Sequence, residues 1–449
     1  MSPDILTKSE LELCRFTLRR AIEKGASKVR VSANKSVMDL VGTLNGETDK
    51  VTHCLDRSIG ISLFVDGRYG AYSTNRLDEK SIDAFLDKAL ETTRMLAPDP
   101  CRDLPDPSRT AKDALDGLET GLYDRAYETM TPEKRLSIAL GASIFAETKG
   151  EGWTLLSEEA EYSDSIFDTY VLDSQGLECR HIETSFEYGV EVTIADSKGR
   201  KYSKYWWDAT PRLEDLDINS CCPKALRLAV EMTGPRRSRS GKKNLVIDSE
   251  VASKVVSPVL RALNAYSIQQ SNSFLMDSEG KKMFHEGLTI IDDCRRTGRA
   301  GSRLFDSEGV ATKETPIIER GVVRQYFVNT YMSAKTGFSP TVEDAMRPKV
   351  LPYPEKGLDR DAILALCGDG ILVTDFNGGN SNSSTGNFSY GIEGFAFKNG
   401  QITHPVRDMV VTGNFLDLWS RLICCGDDAR PCLSKEVPTL AFSDIDFSA

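Results

Sequence analysis

The chain has 449 residues, of which 40% are hydrophobic and 27% are charged, as is typical of a globular protein with more than one domain. Its 56 basic and 67 acidic residues leave a net charge of −11, which argues against a broad surface for nucleic acid phosphates. No apolar run approaches the roughly 20 residues of a membrane-spanning helix, so neither a membrane nor nucleic acid is expected as a partner.

The N-terminus and the cysteine usage predict the compartment. Residues 1–4 lack the basic and apolar regions of a signal peptide. The eleven cysteines are an odd number and include no Cys-x-x-Cys pair, which favours free thiols in a reducing compartment. We therefore expect the protein to be cytoplasmic.

The four histidines do not form a metal-binding motif. They lie far apart in the sequence, and none belongs to a pair whose spacing would place two ligands on one face of a helix. A zinc site made by this chain alone is therefore not expected.

The N-terminal half predicts two α+β segments with the same order of elements. Residues 1–97 contain an amphipathic helix, alternating strands and a second helix, and residues 131–233 repeat that order. Residues 98–130 begin with several prolines and are predicted to be a linker. The repeated order suggests the hypothesis of a structural duplication.

Within these segments the strands are predicted as short alternating runs. The first helix of the second segment is capped by Thr131, begins at Pro132 and should run to about Thr148. Asp66 and Gly67 lie between two alternating runs and are typical of a hairpin turn. The predicted strands are Lys28–Val37, Met38–Leu44, Val51–Asp56, Gly60–Val65, Tyr69–Thr74, Trp153–Glu161, Ser165–Asp173, Leu177–Ser185, Glu187–Ile194 and Arg200–Asp208.

The C-terminal half predicts a β-rich domain. Residues 234–243 are densely basic and are predicted to be a solvated linker rather than a nucleic acid contact. Residues 244–449 begin with a strand at Asn244–Asp248 and a helix at Ser249–Gln269, which Pro258 should kink or divide, before many short strands. The predicted fold class is α+β, with two helix-flanked antiparallel-sheet segments followed by a large, mainly antiparallel β domain with a few helices.

One long polar segment, Asn377–Phe395, lies between two strand-like apolar runs. It is rich in glycine, asparagine and serine, and such a segment loses much backbone entropy when it is ordered. Ordinary hairpins close with far fewer residues. The segment is therefore either a disordered loop or a binding surface made largely of backbone, and its part up to Ser384 is expected to be the more mobile.

Four motifs along the chain carry a resemblance to a known family. They are Gly60–Asn75, Gly301–Val310, Thr385–Gly391 and Gly413–Leu416, and together they span nearly the whole chain. The sequence resembles the PmbA/TldE branch of the TldD/PmbA peptidase family, also called modulators of DNA gyrase. The resemblance implies a cytoplasmic subunit of a metallopeptidase that acts in proteolysis or peptide processing. It also implies a heterodimer in which a TldD-type subunit carries zinc and a TldE-type subunit helps to enclose a cleft.

The residues that would bind zinc differ from those of TldD-type chains. Such chains place His-Glu-x-x-x-His on the helix after the first strand of the C-terminal domain, where this chain has Val255–Ala262. Neither imidazole ligands nor the carboxylate that would activate a metal-bound water is present there. The family's later cysteine ligand corresponds to Cys424 or Cys425, and one thiolate cannot make the site alone. We therefore predict no catalytic or metal-binding residue and no cofactor in this chain, with zinc in a TldD-type partner.

The same resemblance selects a set of peptide-binding residues. These residues would line the cleft and offer backbone donors and acceptors to an extended or unfolded peptide. The predicted set is Thr385, Gly386, Asn387, Phe388, Ser389 and Arg303. Two structural alternatives stay open, because the Thr385–Ser389 segment could make only a tight turn that supports the sheet, and Arg303 could have only an ion-pair role.

The sequence therefore predicts a subunit that holds peptide for a catalytic TldD-type partner. A second hypothesis is a free-standing homodimeric peptidase or hydrolase that uses a site not identified in the sequence. A third is a regulator of DNA gyrase, which depends mainly on the family's older name and on the basic run at 234–243. The sequence identifies neither the peptide substrate nor the choice between heterodimer and homodimer.

Overall fold

The computed structural model describes residues 4–145 and 150–449, which form two compact units. The first unit comprises the described residues up to Arg227 together with Arg295–Thr312 and Asn329–Phe338. The second unit comprises Leu228–Cys294, Lys313–Val328 and Ser339–Ala449. Each unit combines a large sheet with helices, which confirms the predicted α+β fold class.

The helices and strands of the described residues are numbered in chain order. The helices are α1 (Lys8–Glu23), α2 (Glu79–Met95), α3 (Pro132–Gly141), α4 (Ile218–Glu231), α5 (Ser253–Ala262), α6 (Ala265–Gln269), α7 (Thr330–Thr336), α8 (Arg360–Cys367) and α9 (Phe415–Ser420). None of them is long and apolar enough to cross a membrane. The strands are β1 (Lys28–Leu44), β2 (Glu47–Val65), β3 (Arg68–Thr74), β4 (Trp153–Asp173), β5 (Glu178–Asp196), β6 (Lys201–Thr210), β7 (Gly241–Ile247), β8 (Ile290–Asp292), β9 (Thr315–Glu319), β10 (Val322–Val323), β11 (Pro348–Val350), β12 (Gly370–Ser381), β13 (Asn387–Lys398), β14 (Gln401–Asn414), β15 (Leu422–Cys425) and β16 (Leu440–Ser448).

The first unit contains a six-stranded sheet in which all neighbours are antiparallel. Its order is β3-β2-β1-β4-β5-β6, so the first strand of each N-terminal segment lies at the centre. The pairing of β1 with β4 runs from Arg30 opposite Asp173 to Leu44 opposite Glu159. The two segments therefore share one sheet, and each contributes a helix, three strands and a second helix.

The central strands are longer than the sequence pattern predicts. β4 is one strand where the pattern predicts two, Trp153–Glu161 and Ser165–Asp173. Asp164, in the predicted gap, is buried, and its carboxylate accepts hydrogen bonds of 2.8 and 2.7 Å from the guanidinium of Arg135 in α3. Because this ion pair satisfies the buried charge, the strand continues through the polar residues. β1, β2 and β5 likewise each join two predicted runs.

Helices α1 and α2 pack on the sheet and form the main core of the first unit. The Thr7 side chain accepts from the backbone N–H of Glu10, whose carboxylate accepts from Thr7 N–H, so α1 begins with a capping box. Asp78 caps α2, and its side chain accepts a hydrogen bond from the N–H of Ser81. α3 ends at Gly141, and its predicted end at Thr148 lies outside the described residues. The core contains Leu13, Ala21, Val29, Val31, Ile61, Leu63, Leu86 and Leu90.

The second unit contains a closed ring of five strands among the described residues. The order around the ring is β14-β13-β12-β7-β16, and β16 pairs back with β14 at Val410–Thr412. β7 and β12 are parallel, and the other pairs are antiparallel. β15 extends the sheet beside β16, and β10-β9-β8-β11 form a separate small sheet. The predicted β-rich domain is therefore built around a barrel.

A proline lies inside the helix that follows β7 but does not divide it. Pro258 is in the middle of α5, whereas the division comes after Leu263, where Asn264 caps α6. The Asn264 side chain accepts a 3.0 Å hydrogen bond from the N–H of Tyr266, which favours a new helix start at this point. The predicted helix Ser249–Gln269 is therefore wrong in its extent and in its point of division.

The basic run at 234–243 is only partly a linker. Its last three residues belong to β7, which begins before the predicted Asn244. Lys242 lies opposite Asp446 of β16 in the strand register. Earlier in the run, the N–H of Arg236 donates a 3.0 Å hydrogen bond to the carbonyl oxygen of Pro405 in β14. The run is therefore attached to the barrel at two places.

Candidate functional site

Most of the predicted peptide-binding residues lie at the end of a β-hairpin. β12 and β13 are joined by Asn382–Gly386, which we call the hairpin tip, and Asn387 is the first residue of β13. The polar segment Asn377–Phe395 thus forms the two strands and their turn. The alternative of a disordered loop is wrong for this segment, including the part up to Ser384.

The hairpin tip is closed by hydrogen bonds of its own. The N–H of Asn382 donates to the carbonyl oxygen of Asn387 at 2.8 Å, and the N–H of Gly386 donates to that of Asn382 at 2.8 Å. The side-chain oxygen of Asn382 accepts from the N–H groups of Ser384 and Thr385 at 2.9 and 3.0 Å. An asparagine turn of this kind stabilises the local backbone through bonds within the tip itself.

A second set of hydrogen bonds ties the tip to the end of β14. The side-chain amide of Asn414 donates to the carbonyl oxygen of Thr385 at 2.7 Å and to Oδ1 of Asn387 at 2.9 Å. The N–H of Phe415 donates to the carbonyl oxygen of Gly386 at 2.9 Å. Several polar atoms of the predicted set therefore hold the turn in place.

Gly386 is required by the backbone conformation of the tip. Its φ is +76°, in the left-handed region that residues with a Cβ rarely adopt. A Cβ at this position would lie 3.1 Å from the ring of Phe274 and 3.4 Å from the side-chain nitrogen of Asn414. Both the conformation and the close packing therefore favour glycine.

Phe388 supports the hairpin from inside the unit. Its side chain is buried, and its ring lies 4.9 Å from that of Phe415 and 5.4 Å from that of Tyr390, measured between centroids. Phe274 stacks on Phe415 at 5.7 Å. Aromatic pairs of this geometry contribute about 0.5–1.5 kcal/mol each beyond their burial. A peptide could reach the Phe388 ring only if this stack opened.

The exposed side chains at this end of the hairpin include those of the predicted residues Thr385, Asn387 and Ser389. Asn387 and Ser389 flank the buried Phe388, so their side chains share one face of β13. The hydroxyl of Ser389 makes no hydrogen bond with any described residue. We call these three exposed side chains the polar face of the hairpin.

The backbone of β13 is not free to add another strand at this point. Ser389 lies opposite Asn380 of β12 on one side and opposite Thr412 of β14 on the other. Because β13 is paired on both sides, the expectation that it offers its backbone to an extended peptide is wrong for Phe388 and Ser389.

An unpaired edge does occur on β12. This strand pairs with β7 only from Gly370 to Val373. Beyond that point Thr374–Ser381 has β13 on one side, and no strand of the described residues on the other. Register shifts interrupt this part of the hairpin, where Gly378 and Gly379 have positive φ. The edge is therefore available but irregular, as bulged edges are.

Helix α5 contains Val255–Ala262, the residues that the resemblance places at the zinc-binding motif of TldD-type chains. Its aliphatic residues face the core, its exposed residues include Lys254 and Arg261, and Ser257 is partly exposed between them. The helix contains no imidazole, thiol or carboxylate. Since zinc in proteins is bound by those groups, the residues of α5 do not fit the metal.

The exposed face of α5 is positively charged and lies beside the hairpin. Lys254 Nζ is 4.9 Å from the ring centroid of Tyr390 in β13, and Lys435 Nζ donates to Ser257 Oγ at 3.1 Å. The sequence reasoning missed this face because the helix was considered only for zinc ligation. The sequence does contain a signal for this face. Lys254, Ser257 and Arg261 are three and four residues apart, and residues at that spacing lie on the same side of a helix.

The two candidate cysteine ligands lie buried in β15. Burial raises the pKa of Cys424 to about 12, and it also raises the pKa of Cys425. A thiol with a raised pKa is protonated at neutral pH and is a poor metal ligand. Across residues 4–145 and 150–449, no group of three or more His, Cys, Asp or Glu side chains is placed to hold a metal ion.

Arg303 belongs to the first unit, whereas the hairpin belongs to the second. Its Nη2 is 3.3 Å from Oε1 of Glu183, and its guanidinium carbon is 5.8 Å from the ring centroid of Phe167. His181 Nε2 lies 3.0 Å from the other carboxylate oxygen of Glu183. Burial alone would raise the pKa of Glu183, but His181 and Arg303 together lower it. Arg303 therefore makes an ion pair, which agrees with the alternative that gives it only an ion-pair role.

Comparison with protein families covers most of the chain. Residues 29–93 match the PmbA/TldA metallopeptidase domain 1, residues 126–233 match its central domain, and residues 240–449 match its C-terminal domain. The three matches follow one another in the order of the family's domains.

Individual relatives agree with this result. The metalloprotease PmbA homolog of Haemophilus influenzae is 27% identical over 425 residues, which cover 92% of this chain and 90% of that protein. A crystal structure from Bacteroides thetaiotaomicron, described as a modulator of DNA gyrase, is 34% identical with a TM-score of 0.93 and covers 99% of both chains. TldE from Thermococcus kodakarensis, 17% identical, shares the fold with a TM-score of 0.83 over 98% of this chain and 100% of that one. This chain belongs to the PmbA/TldD metallopeptidase family, in its PmbA/TldE branch.

Proposed function

We propose that this chain is the non-catalytic subunit of a cytoplasmic zinc peptidase and that a TldD-type partner supplies the zinc and cuts the peptide. The observation that carries the proposal is helix α5, which has Lys254, Ser257 and Arg261 on its outer side and no zinc ligand. Hydrolysis by a family metallopeptidase needs a metal-bound water and a base, so the residues for both would come from the partner.

The contribution of this chain, in the proposal, is to hold an extended peptide at the β12–β13 hairpin. The polar face of Thr385, Asn387 and Ser389 can exchange hydrogen bonds with a peptide. The hydrogen bonds of the hairpin tip fix its conformation in advance, so little conformational entropy is lost on binding. The unpaired edge of β12 can pair with the backbone of a peptide of any sequence.

The cysteines support a cytoplasmic location. All eleven are free, and several are buried where they pack as small apolar side chains. Free thiols persist in a reducing compartment, whereas secreted proteins usually oxidise them. The proposal therefore places the peptidase and its peptides in the cytoplasm.

Reconstitution with the partner tests the division of labour. The full chain, a TldD-type chain from the same genome and their equimolar mixture would be assayed for zinc by mass spectrometry and for cleavage of an unstructured peptide. We expect neither zinc nor cleavage with this chain alone, and faster cleavage by the mixture than by the partner. Stoichiometric zinc and cleavage by this chain alone would overturn the proposal in favour of the homodimeric hydrolase.

The assembly is measured separately by light scattering of the mixture. We expect a species with one copy of each chain. A homodimer of this chain that persists in the presence of the TldD-type chain would contradict the heterodimer, even if the mixture cleaves peptide.

The role of the hairpin is tested by Ser389→Ala in the reconstituted peptidase. Loss of one hydrogen bond to the peptide should raise KM about threefold to tenfold and leave kcat nearly unchanged. Ser197→Ala removes an exposed hydroxyl from the turn between β5 and β6 and serves as the matched control. If Ser389→Ala behaves like the control, the alternative holds in which Thr385–Ser389 only supports the sheet.

A further inference from the structure

One end of the barrel opens into a depression lined by all five strands of the ring. Its lining residues come from the first residues of β7 and β12, the last of β13, the early part of β14 and the bulge of β16. Its volume is about 760 Å³, within the range of small-molecule sites. We call this depression the barrel mouth and define it by Ser238, Lys242, Lys243, Lys398, Thr403 and His404.

The barrel mouth contains lysines without an ion-pair partner among the described residues. These are Lys243 and Lys398. Lys242, by contrast, forms an ion pair with Asp444, with 3.4 Å between Nζ and Oδ2. Like charges held near one another destabilise a fold unless something offsets them. In a chain of net charge −11, such a group of lysines is therefore notable.

The basic run at 234–243 supplies part of the rim. Ser238 lines the mouth, and its neighbours Arg237 and Arg239 have no ion-pair partner in the described part of the chain. The hydrogen bond from Arg236 N–H to Pro405, next to the lining residue His404, holds the run at this end of the barrel. The densest basic segment of the sequence thus ends at this depression.

The two acidic residues of the mouth are already engaged. Oδ1 of Asp369 accepts a 2.8 Å hydrogen bond from the N–H of Asn399. Oδ2 of Asp444 lies 3.1 Å from Arg421 Nη1 and 3.4 Å from Lys242 Nζ. Their charge is therefore partly offset by groups of the protein. The three lysines of the lining outnumber the two aspartates, so the mouth keeps an excess of positive charge.

The two large apolar side chains of the mouth are almost fully buried. Ile371 and Phe397 line it but are only 1% and 3% exposed. The hydroxyl of Ser238 and the imidazole of His404 lie among the lysines, and both can donate hydrogen bonds, whereas the hydroxyl of Thr403 donates to the carbonyl oxygen of Ala396 at 2.9 Å. A compact, strongly charged ligand matches this surface better than one with a large apolar group.

We propose that the barrel mouth binds a small polyanion, a molecule with two or more phosphate or carboxylate groups. Lys243 and Lys398 lie on β7 and β13, which flank β12 and are therefore about 10 Å apart, so a ligand with two anionic groups can engage both. The proposal concerns the opposite end of β12 and β13 from the hairpin tip and does not depend on peptide binding.

Calorimetric titration of the full chain tests the proposal, with pyrophosphate and citrate as the phosphate and carboxylate probes. We expect one site for at least one probe, weaker binding of inorganic phosphate, and lower affinity as sodium chloride increases because salt screens exposed charges. The double variant Lys243→Gln/Lys398→Gln should lower the affinity at least about tenfold.

A matched double variant separates this site from the general effect of charge. Lys313→Gln/Lys356→Gln makes the same charge change at two exposed lysines elsewhere in the second unit and should keep the affinity. Equal loss in both double variants, or no binding of either probe at millimolar concentration, would overturn the proposal. Binding of a DNA oligonucleotide that needs Lys243 and Lys398 and is not displaced by pyrophosphate would also overturn it, in favour of a nucleic acid site.

Discussion

The two ends of the β12–β13 pair use polar residues in opposite ways. At the hairpin tip, Asn382 and Asn414 make hydrogen bonds to the turn and hold its backbone. At the barrel mouth, Lys243 and Lys398 have no ion-pair partner among the described residues. Polar groups that are satisfied within the chain stabilise its fold, whereas charges without a partner are free to bind a ligand. A polar composition alone does not distinguish the two cases.

The largest expected effect comes from the centre of the aromatic stack under the tip. Phe415 is fully buried between Phe274 and Phe388, so Phe415→Ala should lower the free energy of unfolding by about 3–5 kcal/mol. Denaturant unfolding would measure it. Tyr266→Ala is the control because the Tyr266 side chain is 56% exposed. A similar loss of stability in both variants would contradict the claim that the aromatic stack stabilises the hairpin tip.

Gly386→Ala tests the conformation of the tip. The positive φ and the approach of Phe274 to 3.1 Å predict a loss of about 2 kcal/mol. Gly141→Ala, at the end of α3, is a matched control because a Cβ there meets no atom within 4 Å. Unfolding midpoints that do not differ between these variants would show that the tip tolerates another conformation.

Asn414→Ala removes the side chain that joins β14 to the tip. It loses two hydrogen bonds to the hairpin and one to the N–H of Leu416, so a loss of about 1–2 kcal/mol is expected. Asn380→Ala is the control, since the Asn380 side chain makes no hydrogen bond with a described residue. Equal stability of the two variants would mean that the tip does not depend on Asn414.

Arg303→Gln tests a predicted site residue that belongs to the first unit. The ion pair with Glu183 is partly exposed, so a loss of about 0.5 kcal/mol is expected at neutral pH. The pKa of Glu183 is lowered in the folded chain, so this stability exists above the ordinary carboxyl pKa and is lost as pH falls through the folded value. Unfolding curves of variant and wild type should therefore converge in acid. An increase in the KM for peptide without a matching loss in the free energy of unfolding would show that Arg303 belongs to the peptide-binding residues.

The smallest effect on stability is expected at the barrel mouth. Lys243→Gln/Lys398→Gln removes two charges that repel their neighbours and breaks no ion pair among the described residues. The free energy of unfolding should therefore stay within about 0.5 kcal/mol of wild type or rise slightly. A loss of stability as large as that of Asn414→Ala would mean that the lysines of the barrel mouth stabilise the fold, as the polar residues of the hairpin tip do. The two ends of the β12–β13 pair would then not differ in their use of polar residues.

Local patterns predicted much of the fold. Alternating residues gave the strands of the first unit, Asp66-Gly67 does close the β2–β3 hairpin, and Thr131 does cap α3. The family motifs predicted the branch of the family. These features depend on residues close together in the sequence, where turn and capping preferences act directly.

Features that depend on distant partners were not predicted. β4 continues through Asp164 because Arg135 neutralises it, and the strand pattern does not contain that ion pair. A disordered loop stayed open as one alternative for the polar segment because Asn414, which holds it, lies on another strand. The barrel mouth was missed for the same reason, since Lys243 and Lys398 are far apart in the sequence and are brought together by the pairing of β7 and β13 with β12.

Closure of the ring has a consequence for how the second unit is made. β7 pairs with β12 on one side and β16 on the other, and β16 begins about 190 residues after β7 ends. Such long-range pairing slows folding, and during synthesis β7 would keep an exposed edge until the last strand leaves the ribosome. The strand Leu440–Ser448 therefore completes the barrel, and a chain that stopped before it would present open, aggregation-prone edges.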